Sequence, residues 1–350
     1  MNFDLLKRLC ETPGVPGREE PIRKLIIEEM RSLVDEVQVD PMGNVVGVRR
    51  GCGGARVMIA AHMDEIGFYV RHIDDKGFIR LQSVGGFDAR NLVAQRVYVH
   101  GFTGDRLLGV VQPTAKPGAG ADERDKGAKL SEIFVDLGMT SENVKHKVEI
   151  GDPVTLARTA EIVGGNIISK SLDNRLSVFV MLEALRAMSA HQVEIFAVAT
   201  TQEEVGLRGA GAAAYHLQPD IGIALDITLA QDYPGGNEVD QVTRLGGGTA
   251  IKIMDNSLLC HPKLVRHLRD LAEENDIPYQ LEILSVGGTD AGAIQRSRGG
   301  VPSCTLSTPC RYVHTVNEMA SISDIDASIS LLREFLEDAH TRRHDYADEV

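Results

Sequence analysis

The feature that most constrains this chain is a change of texture at two places along it. Up to about residue 66, and again from about 165, apolar runs of strand length alternate with segments of helical spacing. Between them, residues 67–164 carry short β-branched and aromatic runs such as Phe68-Tyr69-Val70, Val97-Tyr98-Val99 and Val154-Thr155-Leu156, separated by Gly, Pro and Asp turns. Strand–helix alternation implies an α/β layered domain, whereas many short strands without a long helix imply a small barrel or sandwich. The simplest reading is a discontinuous α/β domain, 1–66 with 165–350, interrupted by an inserted β domain over 67–164. Within the insertion, 116–127 is polar and Gly-rich and reads as a loop.

Periodicity places the elements more finely. Ile22, Leu25, Ile26, Met30 and Leu33 predict a helix within 18–34. Strands are expected at 37–39 and 44–48, around the Asp40-Pro41-Met42-Gly43 turn, and at 56–62. Beyond the insertion the expected order is helix 174–190, strand 193–201, short helix 208–215, strand 221–228 and strand 249–254. Helix 261–276, short helix 290–297, strand 302–307 and a last helix over 323–344 follow, with Ser323 as N-cap and Asp326 as its N3 carboxylate.

Composition narrows the class of function. The formal net charge is −13, which opposes nucleic acid and anionic membranes, and the absence of Trp with 5% aromatics argues against base-stacking platforms. No run approaches the ~18–20 apolar residues of a membrane span. Five cysteines without a Cys-x-x-Cys argue against a disulfide framework or a thiolate cluster. The amphipathic start Met1–Arg8 lacks the apolar stretch of a signal peptide. A soluble, cytoplasmic protein without nucleic-acid or membrane partners is the expectation.

Metal-competent side chains stand at the ends of the apolar runs, where α/β folds place their sites. His62 and Asp64 end the 56–62 run. Asp173 precedes the 174–190 helix, Glu203-Glu204 follow the 193–201 strand, Asp226 interrupts Ile223-Ala224-Leu225, and His314 follows the 302–307 strand. Each has a plainer reading alone: Asp173 as a helix cap, the glutamates as a solvated loop, His314 as a hydrogen-bonded structural histidine. Asp226 resists one, because a carboxylate inside an apolar strand must be paired or metal-bound. Together the set suits zinc, cobalt or manganese, and two histidines with a shared carboxylate suit a pair of ions. One glutamate is then free to act as a general base.

The motifs His62-Met63-Asp64-Glu65-Ile66-Gly67, Leu172-Asp173-Asn174-Arg175, Gln202-Glu203-Glu204-Val205-Gly206, Asp226-Ile227-Thr228, Gly287–Gly292 and Arg311-Tyr312-Val313-His314-Thr315 resemble those of the tetrahedral aminopeptidases. That family comprises dinuclear metallopeptidases and includes glutamyl aminopeptidases. The resemblance covers essentially the whole chain. It implies an α/β catalytic domain with an inserted PDZ-like β domain, and two divalent ions per subunit. One ion would be held by His62 and Asp226, the other by Glu204 and His314, with Asp173 bridging. Glu203 would be the general base and Asp64 would orient His62. Short peptides would be the substrates, and dimers or twelve-subunit tetrahedral shells the assembly. Ser177 and Val316 depart from the family pattern (usually Gly and Pro), beside the ligands and not at them.

Two other function classes remain open from sequence. Relatives have been catalogued as cellulases, and a glycoside hydrolase would use two carboxylates without metal. A non-catalytic metal-binding assembly subunit is the third. His340 and His344, four apart on the last helix, read as a solvated face, since a zincin would carry Glu where Thr341 stands.

Overall fold

The computed structural model of the chain describes residues 1–53, 55–114, 129–235, 238–341 and 346. The expected loop at 116–127 and His344 lie outside the described residues.

Two helices open the chain, α1 (Phe3–Glu11) and α2 (Glu20–Met30). Nine residues are too few for a helix to stand alone. Helix α1 exists because the Asn2 side chain caps it, accepting from Leu5 N at 3.2 Å, and because Leu5, Leu6 and Leu9 bury into the core. Strands β1 (Glu36–Val39), β2 (Val45–Arg49) and β3 (Arg56–His62) follow. The chain then leaves the sheet for β4 (Gly67–Ile73), β5 (Ile79–Val84), β6 (Arg96–His100), β7 (Arg106–Pro113), β8 (Ile133–Asp136), the short helix α3 (Ser141–Lys147) and β9 (Pro153–Leu156). It returns through β10 (Glu161–Val163), β11 (Asn166–Ser169), α4 (Leu172–Ala187), β12 (Glu194–Thr200), α5 (Arg208–Leu217), β13 (Ile221–Leu229) and β14 (Thr249–Met254). The last elements are α6 (Pro262–Glu274), β15 (Tyr279–Ile283), α7 (Asp290–Gln295), β16 (Ser303–Arg311), β17 (Glu318–Ser321) and α8 (Ile322–Asp338).

Two bodies of secondary structure result. An 11-stranded mixed sheet runs β1-β2-β12-β3-β13-β16-β17-β11-β10, with β14 and β15 attached through β16. The inserted strands close a six-stranded antiparallel barrel in the order β4-β5-β8-β7-β6-β9. The central strands β12, β3, β13 and β16 pair in parallel and are covered on both faces, which is why they read as near-continuous apolar runs. Along β3, Val57, Ile59 and Ala61 face a core shared with α1, α4, α6 and α8. Met58 and Ala60 face the smaller core of α5 and α7. The barrel has its own core, including Phe68, Val70, Ile79, Val97 and Val154. Among the described residues no helix is long and apolar enough to cross a membrane.

Several details differ from the sequence expectation. The last helix starts at Ile322, so its N-cap is Ser321 and its N3 carboxylate is Asp324, not Ser323 and Asp326. Asp324 is buried and accepts from Gly246 N and Gly248 N, each at 2.8 Å, so a neighbouring loop sets where that helix begins. The short strands β10, β11, β15 and β17 were not anticipated. Strands β11 and β17 pair with each other across the chain, Asn166 opposite Ser321, and β10 is a three-residue edge strand added to β11, so little local periodicity announces them.

Candidate metal centre

The site forms where the parallel strands end. His62 closes β3 directly opposite Thr200, the last residue of β12, so one sheet edge presents His62 and the loop carrying Glu203 and Glu204. Gln202 takes left-handed backbone (φ 55°) and turns that loop back. The Glu203 and Glu204 amides then both donate to the Asp64 carboxylate at 3.1 Å, one to each oxygen. Asp226 lies in β13 alongside. Asp173 begins α4 with non-helical backbone, so it does not serve as an ordinary cap. His314 follows β16 with φ 62°, and Ser171 ahead of Asp173 has φ 58°. Left-handed backbone at non-glycine residues costs roughly 1–3 kcal/mol each and persists where surrounding structure enforces it.

The structure brings all seven anticipated residues together. The Asp173 carboxylate lies between the two imidazoles: Oδ1 is 3.2 Å from His62 Nε2, and Oδ2 is 3.3 Å from His314 Nε2. His62 Nε2 also lies 3.8 Å from Glu203 Oε2 and 3.9 Å from Asp226 Oδ1, and His314 Nε2 lies 3.5 Å from Glu204 Oε2. His62 Nδ1 sits 3.2 Å from the Asp64 carbonyl and 3.5 Å from its carboxylate. Asp64 thus divides its role. It steadies the imidazole and, through its carboxylate, holds the Glu203–Glu204 backbone.

Burial raises the Glu203 and Asp226 pKa values well above the usual carboxylate range, and neighbouring carboxylates push the same way. Burial likewise raises Glu204, assisted by Asp173. Burial opposes protonation of His314, yet Asp173 and Glu204 outweigh it and lift its pKa to about 11. His62 is lifted in the same manner, against burial, by Glu203, Asp173 and Asp64. Among the described residues no Lys or Arg lines the adjoining cavity of about 480 Å³. A buried set of five carboxylates and two imidazoles without side-chain cations is the donor chemistry of a divalent-cation site. Glu204 Oε1 is buried without a hydrogen-bond partner, which fits an oxygen that serves as a ligand. Metal-compatible groupings form at His62, Glu203 and Asp226, and at His62, Asp173 and Glu204.

Sequence reasoning missed Glu318. It is buried at the start of β17, and one oxygen accepts from Asp173 N at 3.0 Å while the other accepts from His314 N at 2.8 Å. One carboxylate therefore sets the backbone of two candidate ligands. Burial, with Asp173 nearby, pushes its pKa up to about 8. Its only signal in sequence is a carboxylate four residues after His314. Replacing Glu318 by Ala is expected to weaken metal affinity by about 10–100-fold, the usual scale for groups that orient ligands. Metal titration of the purified protein checks this, and unchanged affinity would remove Glu318 from the site. Val316 has a different consequence: it is buried in the barrel core, so the His314 loop is anchored to the insertion. Gly86 of the barrel also faces His314, and a Cβ there would stand 3.1 Å from Nδ1.

Comparison with known proteins agrees with this geometry. The family described as M42 glutamyl aminopeptidase matches residues 43–331. An aminopeptidase structure from the archaeon Desulfurococcus kamchatkensis is 40% identical, with TM-score 0.95 over 99% of this chain and 98% of that one. The lysyl aminopeptidase of Pyrococcus furiosus is 34% identical over 97% of each chain. The TET1 peptidase of Pyrococcus horikoshii, which can assemble into a tetrahedron or a large octahedral shell, is 31% identical with TM-score 0.84, over 95% of this chain and 98% of that one. An α/β sheet with an inserted barrel, a buried His–carboxylate cluster at its strand ends and full-length relatives converge on one conclusion: the chain belongs to the M42 glutamyl aminopeptidase family of metallopeptidases.

Proposed function

We propose that this protein removes N-terminal residues from short peptides by two-metal hydrolysis. The observation that carries the reading is the Asp173 carboxylate, whose two oxygens face two different imidazoles at nearly equal distances. His62 and Asp226 would hold one ion, Glu204 and His314 the other, and Asp173 both. Zinc or cobalt suits these ligands best, and manganese is compatible. When bound, the ions supply Lewis acidity to the scissile carbonyl and make water a nucleophile at neutral pH. The protein's own groups do the rest. Asp64 holds the Glu203 backbone and steadies His62. Glu203 takes the proton of the attacking water and returns it to the departing amine, and its raised pKa suits a group that must hold that proton briefly.

We further propose that the insertion expected over 67–164 forms a separate unit within the catalytic domain expected over 1–66 and 165–350, its barrel strands ending at β9, because β10 (Glu161–Val163) already pairs with β11 in the main sheet, and that the chain works as a cytoplasmic dimer or larger shell. The self-assembling TET1 relative supports the last point.

Chelation tests the reaction. Release of amino acids from a dipeptide should cease after treatment with a chelator and return with zinc or cobalt. Glucan hydrolysis that survives chelation would replace this reading with the two-carboxylate glycosidase one. Metal binding without release from any peptide would leave a non-catalytic metal protein.

A further inference from the structure

We infer that this site selects peptides with an uncharged, apolar N-terminal side chain and discriminates against glutamyl and lysyl ones, although the family description says glutamyl and a relative is lysyl. The inference rests on the aminopeptidase reading above.

Around the metal-site residues the cavity wall is Leu207, Ile227, Leu229, Leu284, Val286 and Val313. Among the described residues, the charged side chains that line it are His62, Asp173, Glu203, Glu204, Asp226 and His314, all committed to the proposed metal centre. A substrate's charged side chain would leave water without a counter-charge, which is costly.

The two hydroxyls on the wall sharpen the point. Thr228 Oγ1 donates backwards to Glu282 Oε1 at 2.7 Å, and Thr289 Oγ1 donates backwards to Asp255 Oδ2 at 3.0 Å. Each hydroxyl has one proton, so neither donates into the cavity. Behind the wall, Lys252 is fully buried and bound to Glu282. Among the described residues, a glutamyl carboxylate would therefore meet neither a side-chain cation nor a side-chain donor. A lysyl ammonium would meet only hydroxyl lone pairs and carboxylates already engaged. A leucyl or methionyl side chain loses nothing polar and buries its surface against the wall.

The test compares the 4-nitroanilides of Leu, Met, Glu and Lys with the zinc- or cobalt-loaded protein. Leu and Met should exceed Glu in kcat/KM by about 100-fold or more, with Lys between, the scale expected when a site lacks the polar partners a substrate needs. Glu or Lys turned over as well as Leu overturns the inference and leaves the aminopeptidase reading intact. No release from any of the four overturns that reading and this inference with it.

Val286 is 56% exposed, so it tolerates substitution without loss of the fold. Val286→Arg should raise the Glu-to-Leu ratio of kcat/KM by about tenfold or more, as a new cation supplies the missing partner. An unmoved ratio would mean that this wall does not select. Calorimetric binding of free leucine and free glutamate reads the same preference without turnover, and tighter glutamate binding would overturn it.

Discussion

Glu203→Gln is expected to keep two ions per chain and lose about 100- to 10,000-fold in kcat, the range for removing a general base. The amide keeps the shape of the side chain and cannot take a proton. The measurement pairs metal content with turnover of a leucyl substrate. Its value lies in separating two roles that geometry allows. Glu203 Oε2 stands 3.8 Å from His62 Nε2, and Glu203 groups with His62 and Asp226 as a possible ligand set. A variant that loses one ion along with activity would make Glu203 a ligand. A variant that keeps both ions and full activity would remove it from the chemistry.

The second large effect concerns folding. Glu65→Ala is expected to cost about 3–5 kcal/mol, the scale for breaking a buried ion pair from one side. One Glu65 oxygen accepts from Lys170 Nζ and Ser171 Oγ, each at 2.5 Å. The other accepts from Gly14 N at 3.1 Å and meets Arg175 Nη2 at 3.5 Å. Arg175 is fully buried and also donates to Met63 O, Leu9 O and Thr12 O. Removing Glu65 would strand two buried cations and loosen both the segment bearing Asp64 and the one leading to Asp173. Denaturant midpoints of the two proteins check this, and a change below 1 kcal/mol would show that the network relaxes.

The pH dependence follows with a definite sign. Burial alone would raise the Glu65 pKa, but Lys170 and Arg175 overcome it and hold it below its usual 4.5. A depressed folded-state value stabilises the fold above the unfolded pKa. That contribution fades as pH falls below about 4.5 through the folded value. The stability gap between native and Glu65→Ala protein should therefore narrow in acid.

Much of this protein was legible in its sequence, for identifiable reasons. Strands buried on both faces must be apolar throughout, so β3, β12 and β13 announced themselves, and a polar residue at the end or inside of such a run stands out. His62, Glu203, Glu204 and Asp226 were found that way. The change to short, Gly-punctuated strands likewise announced the barrel. What escaped depends on partners distant in the chain. Strand β11 joins the main sheet through β17, and helix α8 starts at Ile322, where Asp324 reaches the loop at Gly246 and Gly248. Glu318 looks like any surface glutamate until it is seen holding Asp173 and His314 from 145 and four residues away.

By itself, then, the sequence determined the layered α/β class, the interruption by a β unit, the donor chemistry and the family, because burial demands and motif order are written in residue types. Only the tertiary structure decided that Asp173 stands between the two imidazoles, that Asp64 is spent largely on the Glu203–Glu204 backbone, and that the cavity wall turns its hydroxyl protons away from the substrate. Those depend on directions of side chains brought together from separate segments, and a sequence records order along the chain, not direction in space.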